Sequence, residues 1–351
     1  MAYTATTVTD LNDLLDELYT FATGDGWTGE FNRLATSPDI RHIGIYKDNC
    51  YAAFGSLASE LAVDEDGETD STISFGLSTS LNSGAPVETN EVYWGHTGGL
   101  ITTDSDPDRI KINDLGELSS SNVWFFSEDS GAPYIHVVVQ SSAIRYTHFS
   151  IGIIDDLGMT VPNCAFAASA HYDWWADSTA CNNIASGVHE ISYLGLNQGN
   201  GHVRIPDLVV PSGFPGYGSD LVSLTDNTIT QVMELGQDAS DHWAFSDGNI
   251  LDFYMAVDNQ ITTGGTSLFG IPWMFQEGSN PNYHVFLGML PGIRIVDISS
   301  HTPADTLEYV DEDWMVFPWK AKGLRSQAEG GGDEIQISNT QKYGFAYKKN
   351  V

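Results

Sequence analysis

Cysteine is scarce in this chain of 351 residues: Cys50, Cys164 and Cys181 are all it has. An odd count with no C-x-x-C pair indicates neither a disulfide framework nor a structural zinc site, and leaves buried free thiols as the simple reading. Basic residues are scarce as well, 14 Lys and Arg against 47 Asp and Glu, for a formal net charge of −33. A surface of that sign repels phosphates and anionic lipids, so no nucleic acid and no membrane is expected as a partner of the main surface. Long apolar runs are missing: nothing approaches the roughly 18 residues of a membrane-crossing helix. The opening MAYTATTVTDLND lacks the basic segment and apolar core of a secretory signal, and export is not expected.

Reactive signatures are absent too. There is no G-x-S-x-G, no P-loop, no H-E-x-x-H and no G-x-G-x-x-G after a strand. The window His171-Tyr172-Asp173-Trp174-Trp175-Ala176-Asp177 is the most enzyme-like, since acids beside tryptophans can bind or hydrolyse a sugar. In a chain with 47 acidic residues, such a neighbourhood also arises without function, as a surface loop with anchored aromatics. Asp311-Glu312-Asp313 lacks the alternation of a calcium loop and reads as a solvated turn before Trp314. No enzymatic activity, cofactor or metal is expected.

Glycine, by contrast, is plentiful, 35 residues, and 41% of the chain is hydrophobic. Short β-branched and aromatic runs separated by Gly, Pro, Asp and Asn follow one another along most of its length. They include HIGIYK, TISFGLSTS, NVWFFSE, YIHVVVQ, IRYTHFSIGII, SLFGIPWMF, YHVFLGML, IRIVDI and WMVFPW. Strands this short and close exclude a parallel α/β design, so the expected class is mainly β: an antiparallel β-sandwich or multi-sheet β-rich body with one short N-terminal helix. That helix is TDLNDLLDELYTF, where Leu11, Leu14, Leu15, Leu18 and Phe21 fall at helical spacing behind a Thr9 or Asp10 cap, with Gly24 and Gly26 ending it. Its single apolar stripe either packs on its own domain or docks a neighbouring subunit.

YIHVVVQSSAIRYTHFSIGII reads as an antiparallel hairpin whose register decides a metal question. A three-residue loop would set His136 opposite His148. A two-residue turn would put them on opposite faces, and no third ligand is visible in either case.

The last segment runs against the rest. Residues 320–351 carry Lys320, Lys322, Arg325, Lys342, Lys348 and Lys349 against Glu329, Asp333 and Glu334, so they sum to +3 and leave −36 elsewhere. Within it, Tyr343, Phe345 and Tyr347 alternate with small residues as in a strand with one aromatic face. The chain therefore divides into an N-terminal helical segment, 1–30, a β-rich body, 31–319, with a possible split near 130, and a basic C-terminal arm or strand, 320–351. Either the basic strand pairs within its own sheet, or Lys342, Tyr343, Phe345, Tyr347, Lys348 and Lys349 seat on a neighbour's acidic face, with the Leu11, Leu14, Leu15 and Leu18 stripe as a second assembly surface.

Taken together, the helix ending in GDGW, YIHVVVQ with IRYTHFSIG, LGMLPGIRIVD, TPADTLEYVDEDWMVFPW and the final QKYGFAYKK resemble virion structural proteins of tailed bacteriophages, components of tail, baseplate or neck. The resemblance covers about a third of the chain and rests on packing and turn residues. It implies a subunit of the virion, assembled in the host cytoplasm, that acts by assembly as a homo-oligomer and with other virion proteins. A head-proximal collar or decoration protein is the near alternative. A carbohydrate-binding receptor module or glycan hydrolase, meeting a host surface glycan through tryptophans 174, 175, 243, 273 and 319, is the alternative from another class.

Overall fold

The computed structural model describes residues 2–34, 41–56, 72–78, 81, 109–111, 120–128, 131–140, 146–158, 165–170, 199–204, 230–235, 268–276, 284–309, 311–318 and 343–349. They form antiparallel sheets and one helix, a mainly β fold as expected from the punctuated apolar runs.

The first sheet has seven strands. Its members are β1 (Ala2–Val8), β7 (Ser121–Glu128), β8 (Tyr134–Gln140), β9 (Tyr146–Ile153), β10 (Ala165–Ala170), β11 (Gly199–Arg204) and β12 (Thr230–Leu235). From β7 to β12 it is a meander, and β1 adds to it beside β7. A second sheet runs β13 (Phe269–Gln276), β14 (His284–Asp297), β17 (Tyr343–Lys349), β16 (Glu312–Pro318), β15 (Thr306–Tyr309). The third is a meander of β2 (Thr28–Leu34), β3 (Arg41–Lys47), β4 (Cys50–Ser56), β5 (Thr72–Ser78) and β6 (Arg109–Lys111).

The burial of β8 and β9 explains the layering. Every residue of YTHFSIGI is buried, and all of YIHVVVQ except Gln140. A strand apolar on both faces needs cover on both sides. One face of this hairpin presents His136 and His148 to the second sheet, where they reach the carbonyls of Pro291 and Pro318. The opposite face presents Phe149, whose ring meets Phe54 of β4 at 6.1 Å. The first sheet is thus the middle layer.

The helix α1 (Leu11–Gly24) completes the layer on the β4 side, packing against β2, β3 and β4 as well as β1 and β7. Asp10 caps it: its carboxylate accepts from the Asp13 N–H at 2.9 Å and satisfies a first-turn donor, while the Asp13 carboxylate accepts from the Thr9 N–H at 2.9 Å and fixes the chain entering the helix. At the far end Asp25 and Trp27 donate backbone N–H groups to Ala22 O, and Gly26 takes φ 83°, the left-handed turn that halts a helix. Phe21 stacks on Phe125 of β7 at 5.1 Å.

Two boundaries differ from expectation. The first thirty residues are not only helical, because AYTATTV forms β1 and pairs along its whole length with β7. YHVFLGML and IRIVDI, expected as two strands, are one, β14, which turns through Pro291 and Gly292 (φ 62°) without losing its place in the sheet. The possible split near 130 falls outside the described residues; the strands on either side of it, β7 and β8, pair directly.

Candidate functional site

The residues expected to form an assembly surface fall into two groups, and the fold buries the whole of the first and the aromatic residues Phe345 and Tyr347 of the second. Leu14, Leu15 and Leu18 have no exposed surface and Leu11 has 9%; all four belong to the main hydrophobic cluster, together with Ile43, Ile45, Phe54 and Phe125. An apolar stripe on a helix already flanked by two sheets has no face left for a neighbour, so the docking-helix alternative is corrected to internal packing.

The C-terminal strand is corrected in the same way. β17 is a central strand, paired on one side with β14 and on the other with β16, so both of its hydrogen-bonding edges are occupied by its own chain. Phe345 and Tyr347 are buried. Lys348 reaches Glu312 at 2.6 Å, and the Lys349 ammonium lies 5.1 Å from the centre of the Tyr3 ring. Both lysines thus meet partners in their own chain, one a carboxylate and the other an aromatic ring. The Tyr343 backbone pairs with Asp297, whereas Lys342 lies outside the described residues. So do the window 171–177 and the tryptophans at 243 and 319.

What the C-terminal strand builds is a polar seam between the first and second sheets. The ladder ends at Gln140↔Tyr146 and sets His136 opposite Ser150 and His148 opposite Val138. Neither expected register applies: the two histidines share a face but sit diagonally. Each ring is bonded through both nitrogens. The Nε2 of His136 is 2.7 Å from Pro291 O and its Nδ1 is 2.5 Å from Ser150 Oγ. In His148, Nε2 is 2.9 Å from Pro318 O and Nδ1 is 2.8 Å from the Tyr347 hydroxyl. A carbonyl only accepts, so Nε2–H donates in both rings, and Nδ1 accepts from the Ser150 and Tyr347 hydroxyls. Burial drives the His136 pKa down to about 3, aided by the nearby Arg294 charge and opposed by the Pro291 bond. Among the described residues, no group of three or more His, Cys, Asp or Glu is placed to hold a metal ion.

Aromatic rings close the seam. Phe126 stacks on Tyr347 at 5.1 Å, Trp124 meets Phe317 at 4.9 Å, and Tyr134 lies against His136 at 4.5 Å.

At the rim, where β14 turns through Pro291 and Gly292, the sheets part to leave a cleft of about 460 Å³. Its walls include Glu128, Asp155, Arg294, Glu312, Trp314 and Lys348. Arg294 lies over the Trp314 ring at 5.3 Å and donates to Ile293 O at 2.7 Å. Its pKa is lowered by burial, while Glu312, Tyr134 and Asp155 work in the opposite direction. No single motif announces this cleft, because its charged groups come from four strands, β7, β14, β16 and β17, and from the turn after β9. Met289 of β14 and Asp155 exchange backbone hydrogen bonds at 2.9 and 3.0 Å, which ties the segment after β9 to the second sheet beside the opening.

Neither a protein-family model nor a curated protein matches this chain.

Proposed function

We propose that the chain is a structural subunit of a tailed bacteriophage particle, in tail or baseplate, acting by assembly with copies of itself and other virion proteins. The observation that carries this reading is how the polar groups are used. The two histidines, a serine and a tyrosine hydroxyl that in another setting could do proton chemistry are spent on holding two sheets together inside the core. A chain that invests its polar constellation in cohesion suits a load-carrying subunit. The resemblance of its packing and turn segments to virion proteins supports the same reading.

Particles purified from an infected host, analysed by quantitative mass spectrometry and labelled with antibody against this chain, test it. Stoichiometric recovery with label on the tail or baseplate is expected. Label on the head–tail junction would move the subunit to the collar, and absence from washed particles would overturn the proposal.

The rim cleft favours a second reading, a receptor module for a host surface glycan. Its volume falls within the range of about 300–1,000 Å³ for small-ligand sites, and Arg294, Glu312 and Asp155 offer the paired donors and acceptors that vicinal hydroxyls require. Saturable binding of host polysaccharide, lost in Arg294→Ala, would support it. Equal binding by the variant would exclude the cleft.

A further inference from the structure

Among the described residues the three sheets have six edge strands, and they are not protected alike. An edge strand offers a free row of N–H and C=O groups, which proteins usually guard with charge, proline, a bulge or short length. β2 carries Glu30 and Arg33, and its register shifts between Gly29 and Phe31. β6 is three residues long and contains Arg109 and Lys111. β12 contains Glu234. β13 contains Pro272 and two register shifts. β15 has four residues, including Glu308. β1 has none of these devices: AYTATTV is seven residues long, uncharged, without proline, and in unbroken register with β7 from Ala2↔Ser127 to Val8↔Ser121.

Among the described residues β7 alone pairs with β1, and the strand is exposed or half-buried up to Val8. Thr4 and Ala5 are consecutive, so their side chains point to opposite faces of the sheet, and both are exposed, as is Thr7. The strand itself is anchored, because Tyr3 donates to Met315 Sδ, packs on Phe126 at 5.4 Å and carries Lys349 over its ring.

We infer that the β1 edge is a self-association surface, on which β1 of a second copy pairs antiparallel about a two-fold axis to join two seven-stranded sheets into one. The charge distribution selects this occupant. Two copies of a chain at −33 repel over most of their surfaces, and an uncharged edge strand is where they can meet at least cost. The sequence is self-complementary in that arrangement: centred on Ala5, the pairing sets Thr4 opposite Thr6, Tyr3 opposite Thr7 and Ala2 opposite Val8, and threonine pairs suit cross-strand positions. Because the pair forms against net repulsion, salt should strengthen it, as the screening length falls from about 8 Å at physiological ionic strength to about 3 Å in molar salt. The inference rests on the assembly reading and names its surface.

Sedimentation velocity of the full chain, from micromolar to submillimolar concentration at low and at molar salt, reads the association. A dimer that grows with concentration and with salt is expected. Thr4→Glu with Thr6→Glu places like charges opposite each other and should weaken the dissociation constant by at least about tenfold. Mixing that variant with a Thr4→Lys, Thr6→Lys variant should restore the dimer. Amide hydrogen exchange needs no substitution: the outward N–H groups of β1 should slow as protein concentration rises.

A dimer indifferent to the Glu substitutions, with β1 amides exchanging at an unchanged rate, would overturn the inference and leave assembly through another surface. A monomer under every condition would overturn it too, and would reserve the edge for a strand from a different protein. The assembly reading itself fails only if the chain is absent from washed particles.

Discussion

The Tyr347 hydroxyl and the Nδ1 of His148 meet at 2.8 Å across the boundary between two sheets, 199 residues apart in sequence, with their rings 5.8 Å apart and 14° from parallel. Because the hydroxyl donates and the ring accepts, the bond fixes the tautomer in which Nε2–H reaches Pro318 O. Tyr347→Phe keeps the ring and removes the donor. It should cost about 1–3 kcal/mol in denaturant unfolding with an unchanged m-value, since a buried acceptor loses its hydrogen bond. An unchanged midpoint would show that the hydroxyl contributes nothing to the seam.

Acid should loosen the fold through its buried histidines. Burial lowers His136 and His42 to about 3 in the native protein, while an unfolded histidine titrates near 6.5. The unfolded state therefore binds more protons as pH falls from about 6.5 towards 3, and stability present above that window is lost within it. Each group contributes up to about 1.4 kcal/mol per pH unit there. Urea unfolding at neutral pH and near pH 5 should differ measurably, and His136→Gln should flatten the slope. Equal stability at the two pH values would contradict the neutral assignment.

Removing the basic terminus should destroy the fold. Truncation after Asn339 deletes β17 from between β14 and β16 and takes Phe345 and Tyr347 out of the core. No cooperative melt and no near-ultraviolet circular dichroism are expected. By contrast, Lys348→Glu breaks a half-exposed pair with Glu312 and should cost no more than about 1 kcal/mol. A folded, soluble truncation product would restore the idea of an independent arm.

The helix should behave as core. Leu14→Ala and Leu15→Ala each empty a fully buried position and should destabilise by about 2–5 kcal/mol, whatever happens to assembly. Loss of particle incorporation at wild-type stability would instead place the stripe at an interface.

Gly292→Ala should be costly for its single methyl. The residue sits at φ 62°, and a Cβ there would overlap the Tyr134 ring, which itself rests on His136. A drop in melting temperature is expected; wild-type melting would mean that β14 can relax at its turn.

Local chemistry made much of this protein legible in advance. Helix α1 was readable from leucine spacing, from Asp10 and from the glycines after it, because capping and periodicity act within a few residues. β3, β7, β8, β9, β16 and β17 were readable as β-branched and aromatic runs. β1 carries a weaker signal, an uncharged AYTATTV with few large apolar residues, because what makes it a strand is its ladder with β7, more than a hundred residues away. Partner choice was not local. Whether QKYGFAYKK pairs at home or abroad depends on the gap between β14 and β16, and whether His136 and His148 are ligands or struts depends on carbonyls 155 and 170 residues away. Periodicity says which face of a strand is apolar but not which chain covers it; only the closed layers, with both edges of β17 and all four histidine nitrogens of the seam already engaged, decide that.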